Sequence, residues 1–393
     1  MTPSESLPVE WSRFQRGALL AAIVAFVTCA FAGGRNPDQF FRSYLFAYLF
    51  WIGIAIGSAE VVMLQHLVGG QWGLALRRPL ESGARTLWLM AILFVPLVFG
   101  VRHLYLWAQP QALAQSEELR RQSFYLNMPF FFVRVAFYFA IWLLFTYLLT
   151  KWSQDQDRQA DPALGTKFQV LSGPGLVLFG LTVTFASVDW VMSLEPRWTS
   201  TIYGLIFIVG QVLSTLAFMI IVVMLLSRRK PLSDLLSAKV RLDLGNLMLT
   251  FVILWAYMAV SQLIIIWSGN LQDEIPWYLR RTAGMWGNVA IFLALFHFFI
   301  PFLLLLSRDV KRRGWLLGAV AGMILFVNLV DTFWLVEPGL LRNGFRIHAL
   351  DLATVIGVGG LWVAFFIRCL KQYPLVPPND PRWAESLIRA GHD

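Results

Sequence analysis

The sequence predicts an all-α integral membrane protein of ten transmembrane helices, arranged as two four-helix bundles with two flanking helices. Three observations predict it. First, 58% of the 393 residues are hydrophobic and only 14% are charged, with a mean hydropathy of +0.62. A soluble domain carries about 25% charged residues, so a cytosolic enzyme, a nucleic-acid binder and a disordered chain are excluded. Second, the apolar residues fall in ten runs of about 18 residues or more, the length that spans a bilayer as a helix. Segments of about ten residues with alternating hydrophobicity, the mark of a membrane β-barrel, do not occur. Third, a nine-residue pattern recurs at an offset that contains a whole number of spans.

The ten runs are 17–34, 44–67, 85–107, 124–150, 170–193, 200–227, 243–268, 283–306, 314–336 and 346–370. The first follows Arg13 and Arg16, as a signal peptide would. Glu5 and Glu10 dilute its basic flank, so it reads as a retained span. The 151–169 connection (KWSQDQDRQADPALGTKFQ) is the longest and reads as a polar, flexible link. The segment YPLVPPNDPRW opens a proline-rich cytoplasmic tail, 371–393, expected to be extended and to pack on a neighbour. No connection is long enough for a soluble domain, so residues 1–393 form one polytopic unit.

Of the 32 Lys and Arg, 21 lie in the termini and even-numbered connections, nine in the odd-numbered ones, and Arg102 and Arg134 within runs. This bias explains the formal charge of +9 without nucleic acid. It predicts that both termini face the cytoplasm. The RRK cluster at 228–230 and RDVKRR at 308–313 carry much of the signal and read as topology anchors.

VDWVMSLEP at 188–196 and VDTFWLVEP at 330–338 both read V-D-x5-E-P, 142 residues and four spans apart. An even number of spans keeps the direction, so the pair predicts a parallel duplication. Its copies would be a first four-helix bundle over 44–193 and a second over 200–336.

Charged groups within spans cost about 2.5–3.5 kcal/mol each on insertion scales, so they turn inward and find partners. Glu60 lies in the inner half of span two, seven residues after Gly53 in a G-x-x-x-G that lets helices approach closely. His66 follows it, and His297 lies in span eight, four residues before Pro301. A second set gathers toward the outer surface: Arg102, His103, Arg134, Asp189, Asp331 beside Asn328, and His348 with Asp351. Glu195 and Glu337 sit just beyond their spans, each before a proline.

Three readings of these groups stay open. Arg134 pairing with Asp189 or Asp331 would hold helices in register. Buried carboxylates and imidazoles in both leaflets suit two proton half-paths, with Asp189, Glu195, Asp331, Glu337, Asp351, Glu60, His66 and His297 as carriers. A pair such as His103 with Asp189 beside aromatic rings would suit a quinone head group, with Arg102, Arg134 and His348 as further outer-side groups. Haem ligation is disfavoured because no two of the five histidines share a span. Cys29 and Cys369 both lie in apolar runs, which disfavours disulfide, iron–sulfur and Cys-based zinc sites. No catalytic triad, metal set or phosphate loop is present in the sequence. A stand-alone secondary transporter is the rival function class, although Pro96, Pro174 and Pro301 do not match at the repeat offset.

Three long stretches resemble one family: AYMAVSQLIIIWSGNLQDEIPWYLRR at 256–281, FFRSYLFAYLFWIGIAIGSAEVVMLQHLVGGQWGLALRRPLE at 40–81, and TFASVDWVMSLEPRWTSTIYG at 184–204. They resemble the ActF subunits of bacterial alternative complex III, a quinol:electron-acceptor oxidoreductase. The resemblance extends over nearly the whole chain and implies the NrfD-like fold of paired four-helix bundles. It implies a cofactor-free membrane subunit beside ActC, to which the quinol pocket is chiefly assigned. Iron–sulfur clusters would lie in ActB and c-type haems in ActA and ActE. Small membrane subunits, lipid and a soluble cytochrome or terminal oxidase would be further partners. Proton half-channels have been proposed for the family, and the match at SVDW places Asp189 and the outer acids among their residues. The chain departs from the family pattern at Glu60 and Gln65, where apolar residues or His are expected.

Overall fold

The computed structural model describes residues 9–159, 163–227, 232–341, 344–377 and 379–380. Basic cluster 228–230 and most of the tail lie outside the described residues. Helix α1 (Val9–Gly33) precedes α2 (Pro37–Val68). The Asn36 side chain accepts the Gln39 N–H and Pro37 fills the first turn of α2, both favourable at a helix start. Gly69 and Gly70, with φ of 74° and 96°, stop α2 in a conformation that side chains resist. The chain then re-enters as α3 (Gln71–Arg85), α4 (Leu87–Leu93) and α5 (Val95–Leu104). A 3-10 turn (Leu106–Ala108), α6 (Pro110–Gln115) and α7 (Glu117–Gln122) lead into α8 (Met128–Arg158) and α9 (Ala163–Trp190).

A second 3-10 turn, Met192–Leu194, leads to α10 (Tyr203–Leu226), α11 (Leu232–Leu235), α12 (Ala238–Ser268) and α13 (Ile275–Thr282). Helix α14 (Gly284–Leu293), a π-helical turn (Ala294–Phe299) and α15 (Ile300–Leu306) form one continuous rod. The short α16 (Arg308–Arg312) precedes α17 (Gly314–Leu340), and α18 (Ala349–Lys371) closes the set. Among the described residues there is no strand, and nine helical stretches are long and apolar enough to cross a membrane. The α3–α5 region supplies a tenth if its halves, bent by 58°, are one span. The chain is thus an all-helical protein of multi-pass membrane character.

Three expectations change. The helical stretch that carries the third run begins at Gln71 rather than 85, and it bends where Pro96 removes a backbone donor at the start of α5. The 151–169 link is largely helical, because α8 runs on to Arg158 and α9 starts at Ala163. Its polar residues Ser153, Gln156 and Asp157 bind Arg77 and Arg78, which rewards the extra turns. Asp331 and Glu337 do not close or follow their span: α17 continues through Pro338 to Leu340.

Helices α2 and α10 form the centre, with 94% and 83% of their most apolar windows buried, against 22% for α1. Small residues bring them together. A Cβ at Gly57 would stand 2.4 Å from Thr215 Oγ1 and 2.8 Å from the Gln211 carbonyl, and one at Gly53 would meet Gln211. Thr215 completes the crossing by donating to the Ile54 carbonyl at 3.2 Å. Helix α1 lies along α18, tied by Gln15 to the Ala364 carbonyl and by Lys371 to Ser12. The two described ends of the chain therefore share one end of the molecule, called here the termini end; the other is the far end.

Candidate functional site

At the far end the first V-D-x5-E-P copy is fully ion-paired. Asp189 closes α9, has no exposed surface, and receives both Nε and Nη2 of Arg134 at 2.8 Å. Tyr138 donates a third hydrogen bond at 2.8 Å. Arg134 is held in turn by the Tyr125 carbonyl and lies over the Tyr125 and Phe130 rings. A carboxylate with this many donors is fixed in place and charge-balanced. Glu195, buried just beyond the 3-10 turn, pairs with Arg281 at 2.7 Å and with Arg280. Arg281 also donates to the Leu335 carbonyl and stacks on Trp277. Burial lowers its pKa, and the Glu195 carboxylate opposes that shift.

The second copy is built differently. Asp331, 5% exposed, faces the imidazole of His297, with Nδ1 and Oδ2 3.9 Å apart, and no Lys or Arg pairs with it among the described residues. His297 is fully buried, stacks against Trp255 with ring centres 3.8 Å apart, and neither ring nitrogen finds a partner. The π-helical turn at Ala294–Phe299 aims it inward; such turns cluster at functional positions. Glu337 is buried, its Oε1 has no partner, and the charges acting on it are those of Asp351 and Arg42.

Asp331 also joins two spaces. Towards the centre it lines a 20 Å³ cavity with Asn328, Gln211, Ser214 and Gly53, large enough for about one water. Asn328 is anchored to the Gly210 carbonyl, while neither polar atom of the Gln211 side chain has a protein partner. Towards the periphery Asp331 lines a 660 Å³ groove between α10, α12, α13, the α14–α15 rod and α17. Trp255, Trp277, Tyr278 and Trp334 give the groove aromatic walls, and Gln262 bonds Ser200 and Tyr278 at its rim. Burial pushes the Tyr278 hydroxyl, which lies outside the spans, up to about 12, so it stays neutral at ordinary pH.

No family model matches this chain, and no curated protein matches it. The chain's chemistry is therefore read from its own side chains.

Further along α2 the inner groups follow. Glu60 is buried and its Oε2 has no partner. At 1.5 Å per residue it stands about 10 Å along the helix from Gly53 and about 9 Å from His66. His66 stacks flat on Phe168, with centroids 4.3 Å apart. Beyond it lies a buried polar network of Arg77, Arg78, Glu81, Ser153, Gln156 and Asp157.

The remaining predicted groups separate from this axis. His103 is exposed and bonds Asp38 at 2.6 Å, not Asp189, because Asp189 is already closed by Arg134 and Tyr138. Arg102 and His103 instead line a 1080 Å³ far-end vestibule with Asp38, Arg42, Glu195 and Arg280. His348 and Asp351 form a capping box that starts α18, and Asp351 also binds Ser43 and Gln39. Both thus have local structural work. The sequence reading missed Gln211, Trp255 and Arg281. A lone amide in an apolar run was a usable signal for Gln211. Nothing marked Trp255 among 17 tryptophans, and Arg281 looked like one more connection charge.

Proposed function

We propose that the chain is a proton-conducting and scaffolding subunit of a membrane quinol oxidoreductase, as its resemblance to alternative complex III subunits implies. In that reading the redox centres lie in partner subunits, and the helices form two parallel four-helix bundles in a bacterial cytoplasmic membrane. The termini end would face the cytoplasm, following the Lys/Arg bias. One observation carries the proton role: Asp331, with no Lys or Arg paired to it among the described residues, lies between a buried imidazole and a water-sized cavity into which the Gln211 amide points without a hydrogen-bond partner. A carboxyl that is not locked in an ion pair can take up and release a proton, whereas Asp189 would have to break three hydrogen bonds first.

The outer half-path then runs His297, Asp331, Gln211 and the 20 Å³ cavity; the inner one runs Glu60 and His66. The tight Gly57–Thr215 contact lies between the two, so passage requires a shift of α2 against α10. The test uses the intact assembly in vesicles with an interior pH dye. Asp331→Asn and Glu60→Gln should each abolish proton movement while quinol oxidation and co-purification with haem- and cluster-bearing subunits persist. Unchanged proton movement in both variants removes the reading. A colourless, active monomer on purification would favour a stand-alone transporter.

A second reading, direct quinol binding by this chain, is favoured by the aromatic 660 Å³ groove, whose inner wall carries Asp331. Quinone retained by the purified chain, and lost on Trp255→Ala, would promote it.

A further inference from the structure

The charge network at the termini end has a member from far away in sequence. After α18 the chain turns back across this end. The described residues of segment 372–380 press on the helices: Leu375 and Val376 pack against the core, and Arg85 lies over the Tyr373 ring at 4.0 Å. Asn379 donates to the Gln156 and Asp157 carbonyls at 3.0 and 3.1 Å. Asp380 enters the network and receives Arg77 Nη1 at 2.7 Å, with both side chains 1% exposed. The same guanidinium lies 5.1 Å over Phe168, which also stacks on the His66 ring and meets Trp152 edge-on. From the surface inward the order is therefore Asp380, Arg77, Phe168, His66 and, about 9 Å further along α2, Glu60.

We propose that residues 372–377 with Asn379 and Asp380 act as a detachable strap that closes the termini-end approach to His66 and Glu60. Two features make it a closure that can open rather than a fixed element. Arg77 does not depend on it: when Asp380 leaves, the guanidinium keeps Glu81 at 3.0 Å, Ser153 at 3.1 Å and Gln156 at 2.7 Å. Most of the other attachments are of the same kind, a ring contact and two bonds from one amide, each small on its own. Asp189, by contrast, is the sole carboxylate of its arginine. Removing the strap thus breaks the Arg77–Asp380 ion pair, leaves Arg77 its partners Glu81, Ser153 and Gln156, and uncovers the Arg77 face of Phe168.

The inference rests on the proton reading for its consequence but not for its geometry, and the experiment separates the two. The intact assembly in vesicles is treated with a water-soluble carbodiimide and an amine, and the modified carboxyls are read by mass spectrometry. Asp380→Asn, and a chain ending at Lys371, should each raise the labelling rate of Glu60 severalfold. Asp331, which lies beyond the Gly57–Thr215 contact, should label as before, and Asp380→Glu should restore the slow rate. Melting temperature in detergent reports the fold. Labelling of Glu60 that stays unchanged in both variants overturns the strap, as does a collapse of the fold in Asp380→Asn, which would make the contact structural. Faster labelling with unaltered proton movement upholds the strap and counts against conduction through Glu60.

Discussion

The two V-D-x5-E-P segments share a four-residue pattern and differ in their electrostatics. In the first, Asp189 is enclosed by Arg134 and Tyr138, and Glu195 by Arg280 and Arg281. In the second, Asp331 has a buried imidazole 3.9 Å away, and Glu337 has Arg42 as a counter-charge but no ion pair among the described residues. The asymmetry is sharpened by where the arginines come from. Arg281 belongs to the second half of the chain yet neutralises the first copy's glutamate and caps the Leu335 carbonyl of α17. The backbone diverges too: the first copy breaks into a 3-10 turn after Trp190, and the second stays helical through Glu337. At the first occurrence of the motif both acids are clamped by arginines, and at the second neither acid forms an ion pair with Lys or Arg among the described residues. A repeated motif therefore fixes where acids stand without fixing what they do; the partner cations decide that.

The largest expected effect breaks the clamp. Asp189→Asn leaves a buried Arg134 without its counter-charge, and losing one partner of such a pair costs about 3–5 kcal/mol. Denaturation of the detergent-solubilised chain should show it. Adding Arg134→Met should recover much of the loss, because apolar replacement of both partners is close to neutral. Arg281→Met comes next, at about 3 kcal/mol by the same rule, softened because Arg280 remains beside Glu195. If Arg281→Met were silent, the cross-half pairing would be a bystander and the contrast between copies would lose its cause.

The fold was legible because it rests on run length and on periodicity too coarse to miss. Among the described residues the ten apolar runs appear as nine helices long and apolar enough to cross a membrane and one bent pair, with Gly53 and Gly57 at the central crossing as their spacing indicated. The helical extension of α8 was not legible, since Ser153, Gln156 and Asp157 read as loop residues until Arg77 and Arg78 arrive from 75–79 residues upstream. The site was half legible. Each buried acid announced itself by its cost in an apolar run. The pairing did not, because Arg134 was equally available on paper to Asp189 and Asp331, and only the approach of α8 to α9 chooses between them. The His297–Asp331 contact needed a π-helical turn that no local pattern in ALFHFF declares.

A smaller effect tests whether the second copy's surroundings are held by caps rather than ion pairs. His348 accepts the Leu350 N–H at 3.1 Å, and Asp351 accepts the His348 N–H at 2.7 Å. His348→Ala should therefore cost about 1 kcal/mol, the usual value of a lost N-cap. A loss approaching that of Asp189→Asn would reveal an ionic contribution at this corner and narrow the difference between the copies.

The smallest stability change should come from the residue with the largest functional one. Asp331→Asn keeps the side-chain shape, and among the described residues the carboxylate it removes has no arginine or lysine to orphan. Nearby His297 loses only a neighbour at 3.9 Å, beyond hydrogen-bonding distance. The expected change is no more than about 0.5 kcal/mol, the scale of substitutions that break no core packing, cap or ion pair. Side by side, the Asn variants of two aspartates in one motif should then differ by several kcal/mol in stability, with proton movement lost in the stable one. An Asp331→Asn chain as fragile as Asp189→Asn would mean that the second acid is also a structural tie, and the division of labour between the two copies would collapse.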